Sequence, residues 1–221
     1  MAFFDVFSPL QTGVQTGCRS ILPPGTEGKV TNMIDEEKVF PRFLPKDSKP
    51  YGEIMTKDFL DMKLCFVYEG SENWRTTSFL TKSSGYTEDE IFSIALDNAI
   101  KRYPADILHP SDVLGLPDPE CAPPIYLAKA KGIGETDFGA IVMLYKEVLR
   151  KFAEDGGGFY IIPSSVHEVL FVPRETGIDE DDMLSTIQQV NKDEDVVAPC
   201  DILSDSLYYY DDESEMIRIV K

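Results

Sequence analysis

Ser164, Ser165 and His167 come nearest, by type and spacing, to a nucleophile–base pair in this chain. A serine attacks a carbonyl only with a base within hydrogen-bond reach, and that base needs a third group to orient it. No G-x-S-x-G elbow surrounds these serines, and the preceding Pro163 supplies no amide donor for an oxyanion hole. The run reads instead as a serine-rich turn followed by a strand that carries a histidine. A serine hydrolase using the Ser164/Ser165–His167 region stays open as an alternative, and no residue is assigned a catalytic role. His109 is the only other histidine, so a histidine-based metal site needs both to converge with carboxylates. Cys18, Cys65, Cys121 and Cys200 lie scattered without a C-x-x-C, neither a zinc pattern nor a disulfide framework. No G-x-x-x-x-G-K-[ST] phosphate loop occurs. The run Asp179-Glu180-Asp181-Asp182 lacks the glycine and spacing of a calcium loop. The expectation is a chain without cofactor or metal, more a binder than an enzyme.

Charge points the same way. The 221 residues carry a net charge of −18, and from Glu175 to Glu215 fourteen carboxylates face one cation, Lys192. Affinity for phosphate rests on Lys and Arg contacts, so direct nucleic-acid binding and attraction to anionic lipid are both disfavoured. An acidic segment of this kind is either a solubilising face or a surface offered to a basic protein. The expected contacts are Asp179, Glu180, Asp181 and Asp182 at a helix start, and Asp211, Asp212, Glu213 and Glu215 in a final turn. Tyr209 is the expected aromatic anchor. The leading expectation is a non-enzymatic protein-interaction or regulatory protein. A second is an acidic inhibitor that mimics nucleic acid toward a basic nucleic-acid-binding protein.

The elements that must position these residues can be traced from periodicity. The spacing predicts strands over Asp61–Tyr68 and Trp74–Thr81, then a helix opened by the capping box Thr87-Glu88-Asp89-Glu90. That helix is expected to bury Ile91, Phe92, Ala95, Leu96, Ala99, Ile100 and Tyr103. Residues 104–124, rich in proline, read as a long connection, and Ile125–Ala130 as a strand. The apolar run Gly139–Tyr145 reads as a strand buried on both faces, although periodicity alone does not separate it from a buried helical segment. A helix over Lys146–Glu154, a glycine stop at Gly156–Gly158 and a hairpin of Phe159–Ile162 with Val166–Val172 follow. A helix after Asp179 and a last hairpin, Leu207–Tyr210 with Met216–Val220, complete the chain. Of Tyr208, Tyr209 and Tyr210, at least one is expected to be exposed. The order is ββα-ββα-ββα-ββ: an α+β fold with about three helices and a mixed or mainly antiparallel sheet. Residues 58–221 are taken as the core and residues 1–57 as an irregular N-terminal portion, with short strands near Lys29–Met33 and Lys38–Phe43. No apolar run approaches the ~20 residues that span a bilayer. No signal-peptide pattern opens the chain, so a cytoplasmic location without membrane contact is expected.

FYIIPSSVHEVLFVP, then a helix, then APCDILSDSLYYYD, resembles a family of uncharacterised proteins from gram-positive anaerobes, catalogued as a domain of unknown function. The resemblance extends upstream through FLDMKLCFVYEG and GYTEDEIFSIALDNAIKRYPADI, covering about residues 58–212. The element order is also similar, more loosely, to a second uncharacterised bacterial family with a Pro-Ser turn in the same hairpin. Neither resemblance implies an activity, a cofactor or a site residue.

Overall fold

Alternation along four short strands explains the architecture. Phe159 and Ile161, Val169 and Phe171, Ala128 and Ala130, and Tyr208 and Tyr210 pack into one core. Residues that alternate with or flank them, Ile162, Leu170, Val172, Leu127 and Leu207, pack into another on the opposite side. A sheet buried on both faces has no polar face to alternate with, so FYII and VLFVP read as unbroken apolar runs.

The computed structural model describes residues 34–48, 53–69, 77–109, 111–112, 124–131, 138–154 and 156–220. It is an α+β fold with two antiparallel sheets. The first contains β1 (Val39–Phe43), β2 (Thr56–Phe59), β3 (Met62–Glu69) and β4 (Thr77–Phe79). β3 is central, with β1 on one edge and β2 and β4 sharing the other. α1 (Glu88–Arg102) follows, then β5 (Ala105–Leu108), β6 (Tyr126–Ala130), α2 (Lys146–Ala153), β7 (Phe159–Ile162), β8 (Val169–Pro173), α3 (Glu180–Val190), β9 (Tyr208–Asp211) and β10 (Met216–Ile219). The last six strands form the second sheet in the order β10-β9-β7-β8-β6-β5. α3 covers one face of it through Met183, Ile187 and Val190.

The order is thus ββββα-ββα-ββα-ββ, against the expected ββα-ββα-ββα-ββ. β1 and β2 belong to the first sheet, and Phe40, Phe43 and Leu44 lie in the main core, so the ordered fold begins well before residue 58. In the second unit the strand count matches by exchange. β5 forms within the proline-rich stretch that reads as a connection, and Gly139–Leu144 is a 3-10 helix, not a strand. Phe138, in the left-handed region at φ 63, turns the chain into that helix, and all six of its residues are buried. It stands between the sheets, touching β1, β6 and β8. An apolar run reports burial and not backbone conformation, which is why this segment misleads. The predicted strand near Lys29–Met33, and Trp74, lie outside the described residues.

α1 begins as its sequence dictates. Thr87 Oγ1 accepts from the Glu90 amide at 3.3 Å, while the Glu90 carboxylate accepts from the Thr87 amide at 2.9 Å. Ile91, Ala95 and Ala99 are buried, but Ile100 is 46% exposed, at the margin of the apolar stripe. Asn98 ties α1 to the start of β1 by donating to the carbonyls of Glu36 (2.6 Å) and Val39 (3.0 Å).

The sheets are also fastened at the surface. Asp61, in the β2–β3 turn beside Leu60 (φ 56), accepts from Ser204 Oγ at 2.9 Å and Ser206 Oγ at 2.8 Å. Its other oxygen accepts from the Tyr208 hydroxyl. Burial first, and then this bond, raise the Tyr208 phenol above its ordinary pKa, so it stays a neutral donor. Lys46 pairs with Asp205, and its amide donates to the Ile202 carbonyl at 2.8 Å. No helix among the described residues is long and apolar enough to cross a membrane.

Candidate functional site

Beyond the N-terminal end of α3, part of the second sheet's face borders an open cleft. Strand register places Tyr160, Tyr209 and Arg218 side by side on β7, β9 and β10. The two tyrosine rings meet edge to face at 5.2 Å, and the Arg218 guanidinium lies over the Tyr209 ring at 5.1 Å. Gly158 makes this packing possible: a Cβ there would stand 2.1 Å from the Tyr209 hydroxyl oxygen and 2.7 Å from the Tyr210 carbonyl oxygen. With Arg174, Glu180, Asp211, Asp212 and Glu213, these residues line a polar cleft of about 320 Å³. That is the lower end of the size of small-ligand sites.

Each wall has a local cause. Asp179 caps α3, its carboxylate accepting from the Asp181 amide at 2.8 Å, which aims the first turn, and Glu180 with it, at the cleft. Glu180 accepts from the Tyr160 hydroxyl at 2.9 Å. Partial burial first, then this bond, raise the Tyr160 phenol above its usual pKa. Asp211 accepts from the amides of Glu213 (3.0 Å) and Ser214 (3.2 Å), shaping the β9–β10 turn that carries Asp212 and Glu213.

The nine residues selected from the sequence therefore divide. Glu180, Tyr209, Asp211, Asp212 and Glu213 converge on one cleft from positions up to 33 apart in the chain. Asp181, Asp182 and Glu215 are exposed but do not line it, and Asp179 serves the helix cap. Tyr209 is not an exposed anchor, being only 8% exposed, with Tyr208 at 0% and Tyr210 at 2%. The expectation of an exposed tyrosine fails because α3 and the cleft residues cover one face of β9, while the main core covers the other. Tyr160, Arg174 and Arg218 were missed. Arg174 sits one residue before the acidic window Glu175–Glu215 and Arg218 three residues after it, so a linear charge count leaves both out.

The serine–histidine group is arranged differently from the sequence reading. β8 starts at Val169, and Ser164, Ser165 and His167 belong to the turn before it. Ser165 Oγ accepts from the His167 amide at 3.1 Å and donates toward Glu168 at 3.4 Å. The imidazole faces elsewhere: Nδ1 accepts from the Phe138 amide at 3.4 Å, and Nε2 lies 3.4 Å from Asp201. Both ring nitrogens thus engage groups other than the serine hydroxyls, and the cluster braces the 3-10 helix and the Asp201 turn against β8. His109 is held by Ser111 at 2.7 Å and packs on Tyr126. Burial pushes the Cys65 thiol up to about 12, which keeps it protonated. Among the described residues no three His, Cys, Asp or Glu side chains are grouped to hold a metal ion.

Glu168 gives this cluster a testable pH signature. Burial raises its carboxyl above the ordinary value of 4.5, against the opposing pull of His167 and Lys129 and the hydroxyl of Ser165, with Asp201 adding to the rise. The folded chain therefore holds this proton more tightly than the unfolded chain. The associated stability is full below 4.5 and declines as pH rises through the folded value. Glu168→Gln removes that decline, so its advantage over the parent in denaturant melts should widen from about pH 4 to about pH 7.

No curated protein and no solved structure matches the chain. Residues 52–212 match DUF5688, a family of unknown function, and the chain belongs to that family.

Proposed function

We propose that this chain is a non-enzymatic protein-interaction module that receives a basic partner at the cleft between α3 and the β9–β10 turn. One observation carries the reading: Glu180 meets Asp211, Asp212 and Glu213, which follow it by 31 to 33 residues, around a single polar concavity. Like charges gathered this way repel one another and tend to destabilise the compact state, so a cationic ligand has a specific gain to offer there. Asp181, Asp182 and Glu215 extend the negative field outward from the rim and would steer a basic partner toward it.

An amidated lysine-rich peptide is the simplest probe. Its affinity should fall steeply from about 50 to 200 mM salt, since charges beyond about 10 Å are screened near 0.1 M. Asp212→Asn with Glu213→Gln should slow association several-fold and leave the melting temperature within about 2 °C of the parent. Equal binding by parent and double variant would leave the acidic face as a solubilising surface only.

A further inference from the structure

The cleft is lined by four carboxylates and by two exposed arginines. Neither Arg174 nor Arg218 forms an ion pair or a side-chain hydrogen bond among the described residues, although four carboxylates line the same cleft. The Arg218 guanidinium lies over the Tyr209 ring at 5.1 Å, a contact that leaves its N–H groups for an acceptor. The Tyr209 hydroxyl, on a residue only 8% exposed, also takes no hydrogen bond among the described residues. Two guanidiniums without a protein acceptor among the described residues thus border one cavity beside Tyr209, and a carboxylate is the group that matches them.

We propose that Arg174, Arg218 and Tyr209 form a subsite for the α-carboxylate of a peptide C-terminus whose preceding side chains are cationic. The proposal rests on the reading of the cleft as a site for a basic partner, and it names the part of that partner that enters. Four carboxylates against two guanidiniums leave the cleft net negative, which opposes a phosphate dianion or a simple anion. A chain end supplies a single negative charge to the arginines while its lysine or arginine side chains reach Glu180, Asp212 and Glu213.

The sign of this effect separates it from bulk charge. On a protein of net charge −18, the field alone makes an amidated lysine-rich peptide bind more tightly than its free acid. The subsite predicts the reverse, about tenfold in favour of the free acid by calorimetry at low salt. Arg174→Gln and Arg218→Gln should each abolish that preference while leaving amide binding equal or stronger, because each makes the cleft more negative. A misfolded variant would lose both peptides, so a selective loss is not a folding artefact. Equal or weaker binding of the free acid by the parent overturns the subsite and leaves the basic-partner reading standing. Failure of both peptides overturns the two together. Free L-lysine displacing the free acid at equal concentration overturns the assignment to a peptide end.

Discussion

Phe159→Ala should lower the stability of the fold by about 3–5 kcal/mol, the cost of removing a buried large aromatic side chain. Phe159 is 1% exposed and sits between the sheet and α2, with ring centroids 4.7 Å from Phe152, 4.8 Å from Phe171 and 5.2 Å from Tyr210. Those partners come from α2, β8 and β9, so truncation leaves a cavity that no single element can close by moving. In a thermal melt followed by circular dichroism the midpoint should fall by roughly 6–20 °C, at about 2–4 °C per kcal/mol for a domain of this size. Phe159→Leu keeps most of the volume and should lose well under half as much. A change below about 1 kcal/mol for the alanine variant would contradict the packing described for this core.

Gly139→Ala should be strongly damaging for the addition of a single methyl. The new Cβ would stand 2.3 Å from the His167 carbonyl oxygen, 2.9 Å from Lys129 Cβ and 3.2 Å from the Ala130 amide nitrogen. Two of these neighbours are backbone, held by β6 and by the turn before β8, so neither can rotate away as a side-chain tip would. A loss of about 3 kcal/mol, at the upper end for overpacking, is expected in urea melts. Gly156→Ala is the natural control. Nothing lies within 4 Å of a Cβ there, and its φ is not in the left-handed region. It should change stability by less than about 1 kcal/mol, in the stabilising direction. Equal effects at the two glycines would refute the close approach of the 3-10 helix to β6 and the His167 turn.

Local signals were readable where the chemistry is local. The Thr87–Glu90 capping box, the β7–β8 and β9–β10 hairpins and the apolar stripe of α3 each depend on residues a few positions apart, and each formed. What escaped depends on tertiary placement. Gly139–Leu144 is apolar because it is enclosed on all sides, and enclosure is equally compatible with a strand or a helix. β5 forms between prolines because its ladder with β6 runs over Ala105–Leu108, which contains none. The acidic half of the cleft was visible as a local density of carboxylates. The basic half was not, since Arg174 and Arg218 reach it only through the register of β8, β9 and β10. Asp61, remote from every residue that binds it, carried no local signal at all.

The Asp61 clasp has a consequence for the order in which the newly made chain can assemble. Its three donors follow it by 143, 145 and 147 residues. At about 5–20 residues per second, translation separates the two sides of the clasp by roughly 7–30 s. Throughout that interval the three hydroxyls that hold Asp61 in the finished fold have yet to be made. Ribosome-bound chains stopped before Ser204 would therefore carry the first sheet unfastened. The tie to the second sheet closes only once Tyr208 has emerged, which makes it a late checkpoint on completion of the fold.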